Sequence, residues 1–206
     1  MEWMVSFLTG LTALIIAVGT VITTFFKTKK QVEDSIPKRV KNQVNIDAEI
    51  VLRMDEIKEL VKADRVQIYD FHNGGHYANG RSALKTTCTY EVIRAGVKSH
   101  FKELESMPLS CMPTFIKTLL DKKEMVVKNL EDIKDKMPST YNLKHSQDVK
   151  SFYDIVLENK DGDPIGFLGI QYITDNNISY NNNERNEILR LKFFIEENLE
   201  KLLIRK

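Results

Sequence analysis

Among 206 residues there are two cysteines, Cys88 and Cys111, separated by 23 positions and outside any C-x-x-C pair. That scarcity excludes a disulfide framework and a cysteine-built zinc site, and it points to a reducing compartment. Glycine (9) and proline (5) are too few for a collagenous or low-complexity chain. An excess of one charge is also missing, since 30 lysines and arginines face 29 acids for a net +1. The lysines at 122, 123, 128, 134, 136 and 144 are interleaved with acids rather than set in a stripe, so no nucleic-acid partner is expected. No Walker A, kinase or cyclase signature occurs, and the length leaves room for one domain plus an appended element.

Charge is absent altogether from Trp3 to Phe26, a run of 24 residues. As a helix the run would extend about 36 Å, against a hydrocarbon core of roughly 30 Å. The start, Met1-Glu2, is not basic, and the run exceeds the roughly 7 to 15 apolar residues of a cleaved signal. Residues 1–26 therefore read as a transmembrane helix. Lys27, Lys29, Lys30, Lys38, Arg39 and Lys41 follow it, and positive charge flanks the cytoplasmic end of a span. The expected protein is single-pass in the cell membrane, its N-terminus outside and its C-terminal domain cytoplasmic. Ser6, Gly10, Ala13, Ala17, Thr20 and Thr24 recur every three or four residues, a stripe that permits close packing of two helices or that arises by chance among many small residues.

Residues 27–45 read as a juxtamembrane linker and the start of a helix, with Pro37 interrupting any helix running out of the membrane. From Pro37 to Lys62 apolar residues follow helical spacing. Arg65 to Phe71 alternates as a strand and runs into the turn residues His72-Asn73-Gly74-Gly75. A second strand is expected within 83–93, leading into a short helix near Gly96. A helix from Pro113 to Lys122, a strand at Met125–Val127 and a long surface loop over 128–150 follow. Strands Phe152–Glu158 and Ile165–Ile173 flank an Asp161-Gly162 hairpin turn. The last helix starts near Asn182, and its Ile188, Leu191, Ile195, Asn198 and Leu202 step by three and four. That stripe predicts a homodimer seam, or one broad face buried within a single copy.

With this order of elements, Asp64-Arg65-Val66 entering the first strand and Pro164-Ile165-Gly166-x-x-Gly169 in the last hairpin, the chain resembles GAF domains, relatives of PAS domains, over roughly residues 44 to 205. The resemblance implies an α+β fold: a GAF/PAS-like antiparallel sheet flanked by N- and C-terminal helices, preceded by one transmembrane helix, with residues 46–206 as the GAF-like cytoplasmic domain. Phe71-His72-Asn73-Gly74-Gly75 followed by Cys88-Thr89-Tyr90-Glu91 also resembles uncharacterised, often phage-borne membrane proteins of this fold. After Asn159-Lys160 and Phe167 the acidic pair of cyclic-nucleotide-binding members is missing, and neither a bilin-attachment motif nor a reductase cysteine pair is present. No cofactor is expected.

Four residues are candidates for ligand binding: His72, Asn73, Cys88 and Tyr90. His72 and Asn73 end a strand, where they either fix the turn or reach into a pocket over the sheet. Alternation puts Cys88 and Tyr90 on one face of their strand and Glu91 on the other. Cys88 reads as a small core residue, or as a thiolate if a base lies near it. His72 and His76 are four apart, but Gly74, Gly75 and Gly80 preclude the helix that would turn that spacing into a metal site. No catalytic residue is expected. The function so read is a sensory or adaptor module, anchored in the membrane as a homodimer, that binds a small ligand or a protein partner at the cytoplasmic face. Two alternatives stay open: a structural membrane protein whose soluble domain drives oligomerisation, and an enzyme using His72 and Cys88, which would need both to converge with an acid in one wet pocket.

Overall fold

The computed structural model describes the backbone of residues 2–174 and 178–203, and the side chains of these except 2–16, 30–36 and 203. By its contacts the chain divides into two units, Met1–Asn45 and Ile46–Lys206. Helix α1 spans Glu2–Val61. Pro37 lies inside it and does not interrupt it as expected: the ring removes one N–H and disfavours helix before it, yet the backbone stays helical on both sides. Ten residues of the expected membrane span, 17–26, have described side chains, and Val18, Val21, Ile22, Phe25 and Phe26 among them are exposed. The remainder of that span, including Ser6, Gly10 and Ala13 of the small-residue stripe, lies outside the described side chains. Among the described residues no helix is long and apolar enough to cross a membrane.

The second unit is built on strands β1 (Arg65–His76), β2 (Ser82–Ile93), β3 (Met107–Pro108), β4 (Glu124–Val127), β5 (Ser151–Glu158) and β6 (Pro164–Tyr172). Every pairing is antiparallel, in the order β3-β2-β1-β6-β5-β4. Asp64, 2% exposed, locks the start of β1 to the end of β6. Its Oδ2 accepts the backbone N–H of Ile173 (2.6 Å) and of Thr174 (3.1 Å), and its Oδ1 meets Arg94 at 2.8 Å. The β5–β6 turn forms as the sequence predicts, with Gly162 at φ +82° and Asn159 Oδ1 accepting the N–H groups of Asp161 and Asp163 at 2.9 Å each.

Alternation along the strands feeds two cores. One face sends Val66, Ile68, Ile155, Leu168 and Ile170 against Ile50, Met54 and Ile57 of α1 and Ile188, Leu191 and Ile195 of α4 (Asn182–Leu203). These α4 residues are the predicted dimer seam, and they are buried within one copy because the sheet needs an apolar partner there. The seam reading of Ile188, Leu191 and Ile195 is thereby corrected. The opposite face carries Tyr69, Cys88, Phe152, Val156 and Phe167, covered by α2 (Pro113–Lys122) and α3 (Pro138–Ser146). Helix α3 and a 3-10 turn at Leu130–Ile133 replace the surface loop expected over 128–150. Near Gly96 there is no helix; the chain turns there, with Gly96 at φ +86°, and a 3-10 turn follows at Phe101–Leu104.

Candidate functional site

Registers across the sheet place residues of the helix-capped face in rows. Val156, Phe167, Tyr69 and Cys88 form one row, and Asp154, Gly169, Gln67 and Glu91 form the next. In the first, the Tyr69 and Phe167 rings stack with centroids 4.4 Å apart, and Phe115 of α2 meets Phe167 edge-on at 5.8 Å. The second row is polar and buried. Gln67 Nε2 donates to Glu91 Oε1 (2.8 Å), while Gln67 Oε1 accepts from the Tyr69 hydroxyl (2.7 Å) and from Gln171 Nε2 (2.8 Å). Arg65, fully buried, donates to Gln171 Oε1 (3.0 Å) and to the Lys98 carbonyl (2.8 Å), and its Nε lies 3.6 Å from Glu91. Desolvation pulls the Arg65 pKa down, opposed by the Glu91 carboxylate.

At the other end of the row Asp154, 0% exposed, receives Lys144 Nζ from α3 at 3.3 Å. Lys144 is itself buried, its ammonium 4.6 Å from the Phe152 ring centroid. Burial pushes the Asp154 carboxyl up, and Lys144 opposes that shift. Only one carboxylate oxygen is matched: among the described residues Asp154 Oδ1 has no partner, nor does Oε1 of Gln147, the residue that follows α3. Gly169 sits opposite Asp154, and a Cβ built there would lie 2.8 Å from Asp154 Oδ1. Asp154 Oδ1 is thus a buried polar atom without a partner among the described residues, which is costly to keep unless something meets it.

The four predicted site residues do not assemble there. A register shift between Ile68 and Tyr69 leaves Thr89 as an extra residue on β2, a bulge. Cys88 pairs with Tyr69 on the helix-capped face and Tyr90 pairs with Ile68 on the α1/α4 face, so strict alternation failed and the two part company. Cys88 is 1% exposed and its Sγ–H points at the Tyr90 carbonyl (3.4 Å); burial pushes the thiol up to about 12. The Tyr90 hydroxyl donates to Asp47 of α1 at 2.6 Å. His72 Nε2 lies 2.8 Å from Thr87 Oγ1, on the face away from Cys88, and Asn73 Oδ1 accepts the Gly75 N–H at 3.0 Å, which is a turn role. Sequence reasoning missed Lys144 because its helix was taken for loop, and it passed over Asp154, whose signal was one acid amid the apolar run Phe152-Tyr153-x-Ile155-Val156-Leu157. Among the described residues no cluster of His, Cys, Asp and Glu is arranged for a metal.

No protein-family model matches the sequence. No curated protein matches it either. Solved structures do match in fold. A far-red cyanobacteriochrome photoreceptor aligns with a TM-score of 0.56 at 13% identity, covering 87% of this chain and 98% of that one. The phycoerythrobilin-bound GAF domain of a cyanobacterial phytochrome gives 0.56 at 17% identity, covering 80% and 90%. A domain of a putative two-component sensor histidine kinase from Sinorhizobium meliloti 1021 gives 0.50 at 12% identity, covering 73% and 87%. The strand order, the two helix-covered faces and these likenesses establish a GAF-like α+β fold.

Proposed function

We propose that this chain is a membrane-anchored, GAF-like sensory module that recognises a small polar ligand on the helix-capped face of its sheet. The observation carrying the reading is the fully buried Asp154 with Lys144 on one oxygen and, among the described residues, no partner on the other. Two buried charges cost several kcal/mol to desolvate and are retained poorly by stability alone, which favours a binding role. Structures similar in fold include a bilin-bound domain and a domain of a sensor histidine kinase, which supports a sensory reading. Anchoring rests on the uncharged run Trp3–Phe26 and the lysines after it. On residues 17–28 the hydroxyls of Thr23, Thr24 and Thr28 bond carbonyls three or four residues back on their own helix, which suits a segment without water to satisfy them. No side chain here is given a catalytic role.

The test is native mass spectrometry of the full chain, released from detergent, as wild type and as Asp154→Asn with Lys144→Met. Extra mass on the wild type that is lost from the folded double variant supports the reading. A wild type free of extra mass, and unshifted in melting by a metabolite extract, overturns it.

A further inference from the structure

Among the described residues five buried side-chain polar atoms lack a partner: Arg65 Nε, Thr86 Oγ1, His100 Nε2, Gln147 Oε1 and Asp154 Oδ1. All five belong to the helix-capped side of the sheet. Arg65 and Asp154 stand on that face, Thr86 pairs with Phe71 two residues before Cys88, His100 gives its backbone N–H to Glu91, and Gln147 closes α3. The core against α1 and α4 holds none of them, although it buries at least as many apolar residues. Helix α3 departs from the usual form of a helix that covers a core. With its closing residue it buries Thr140, Lys144 and Gln147, 1%, 4% and 2% exposed, at spacings of four and three where an apolar stripe is the rule. The floor opposite is bare, because a Cβ built on Gly169 would lie 2.8 Å from Asp154 Oδ1 and 3.7 Å from Tyr69 Cε2. Lys144 Nζ has Asp154 Oδ2 as its one hydrogen-bond acceptor among the described residues, and an ammonium carries three hydrogens.

We infer that the position over Gly169, beside the Asp154–Lys144 pair, is a subsite for an uncharged carboxamide, the primary amide end of a small ligand. Its surroundings ask for two donors and one acceptor on a neutral group. One amide N–H meets Asp154 Oδ1, the other meets Oε1 of Gln147, three residues on from Lys144, and the amide carbonyl accepts from the Lys144 ammonium. A carboxylate would set oxygens against two oxygens that already lack donors. A cation would lie beside the Lys144 ammonium. The buried charges also balance as they stand, with Lys144 on Asp154 at 3.3 Å and Arg65 at 3.6 Å from Glu91, so a charged ligand would add an unpaired one. This deepens the ligand-sensing reading by naming what the ligand presents to Asp154, and it rests on that reading.

The experiment titrates the ¹⁵N-labelled full chain in detergent with acetamide, N,N-dimethylacetamide, sodium acetate and acetamidinium chloride at equal ionic strength. These probes are close in shape and differ in donors and charge. Saturable shifts at the backbone amides of Asp154 and Gly169 and at the side-chain NH2 of Gln147 are expected with acetamide. The other three should bind about tenfold more weakly or not at all. Gln147→Met removes one acceptor and should weaken acetamide about fivefold, the loss of one hydrogen bond. Gly169→Ala sets a methyl group against Asp154 Oδ1 and should abolish binding; if that chain does not fold, Gln147→Met decides. Acetate, acetamidinium or dimethylacetamide binding as tightly as acetamide overturns the subsite. So does acetamide binding unchanged in a folded Gln147→Met chain, or the absence of saturable shifts with every probe, which would leave the position to water alone. None of these outcomes alters the extra mass sought on the wild type or its loss from the Asp154→Asn, Lys144→Met chain, so failure of the amide and failure of the ligand-sensing reading are told apart.

Discussion

At the scale of single residues, position in the sheet decides chemistry more than residue type does. Cys88 and Cys111 are both free, yet Cys88 is buried and Cys111 exposed. A thiol reacts as its thiolate, and burial holds the Cys88 thiol near 12. A maleimide at neutral pH should therefore modify Cys111 within minutes and Cys88 only after denaturant is added, as read by intact mass. Two rapid additions to the native chain would contradict the burial described. His72 illustrates the same point, because its imidazole meets Thr87 on the side of the sheet opposite Cys88, and the two never share a pocket. The residue types that carry chemistry were visible in the sequence. Which face each occupies was not, since one extra residue at Thr89 reverses the alternation on which the assignment depended.

At the scale of elements, strands and hairpins were legible where periodicity and turn chemistry agreed. The β5–β6 hairpin is the clearest case, with Asp161-Gly162 at its turn and Gly166 and Gly169 beyond it. Both glycines have a packing reason. A Cβ at Gly166 would lie 2.1 Å from the Tyr69 carbonyl oxygen, and backbone cannot swing away as a side-chain tip does. Gly166→Ala should therefore cost about 1 to 3 kcal/mol or more by forcing β6 from β1, read as a lower denaturant midpoint. A variant as stable as wild type would mean that β1 and β6 are not so closely apposed. Helix α3 was illegible for a different reason: its nine residues include Ser139, Thr140, Asn142 and Ser146, which have weak helix propensity, and its buried face is only Thr140, Tyr141 and Lys144. No apolar stripe announces such a helix. It is the packing on Phe152 and Asp154, not local preference, that defines it.

At the scale of the whole molecule, the buried titratable groups set how stability responds to pH. Burial raises Cys88 to about 12 from 9.0 and Tyr172 to about 12 from 10.0, and it raises Tyr90, Tyr153 and Tyr180 as well. Each folded-state pKa lies above its unfolded value, so the folded chain keeps protons that the unfolded chain releases. Stability from these groups is fully present below pH 9 and is lost as pH rises from 9 towards 12, at up to about 1.4 kcal/mol per pH unit for each group. Melting temperature should be level up to pH 9 and then fall. Cys88→Ala should delay the onset of that fall to about pH 10, where the tyrosines begin. A decline that begins equally early in Cys88→Ala would remove the thiol from this account.

A dimer of the kind expected from the sequence would need another face of α4 than the one first assigned to it. With Ile188, Leu191 and Ile195 spent on the sheet, α4 turns Leu189, Phe193 and Phe194 outward, at 40%, 57% and 36% exposure. The guanidiniums of Arg53 of α1 and of Arg190 sit 5.7 and 5.3 Å from the Phe194 ring centroid. Aromatic residues bordered by arginine are the composition of interface centres rather than of ordinary surface. A second copy is the expected occupant. A shared membrane anchor would hold two chains at high effective concentration, so even a small patch can associate. Sedimentation of the full chain in detergent should give a dimer that Phe193→Asp dissociates with stability changed by no more than about 0.5 kcal/mol, as for surface substitutions. Leu191→Asp should instead lower stability by several kcal/mol, because it buries an unpaired charge beneath α4. A wild-type chain that stays monomeric throughout, or a dimer indifferent to Phe193→Asp, would show that this outward face serves something other than a second copy.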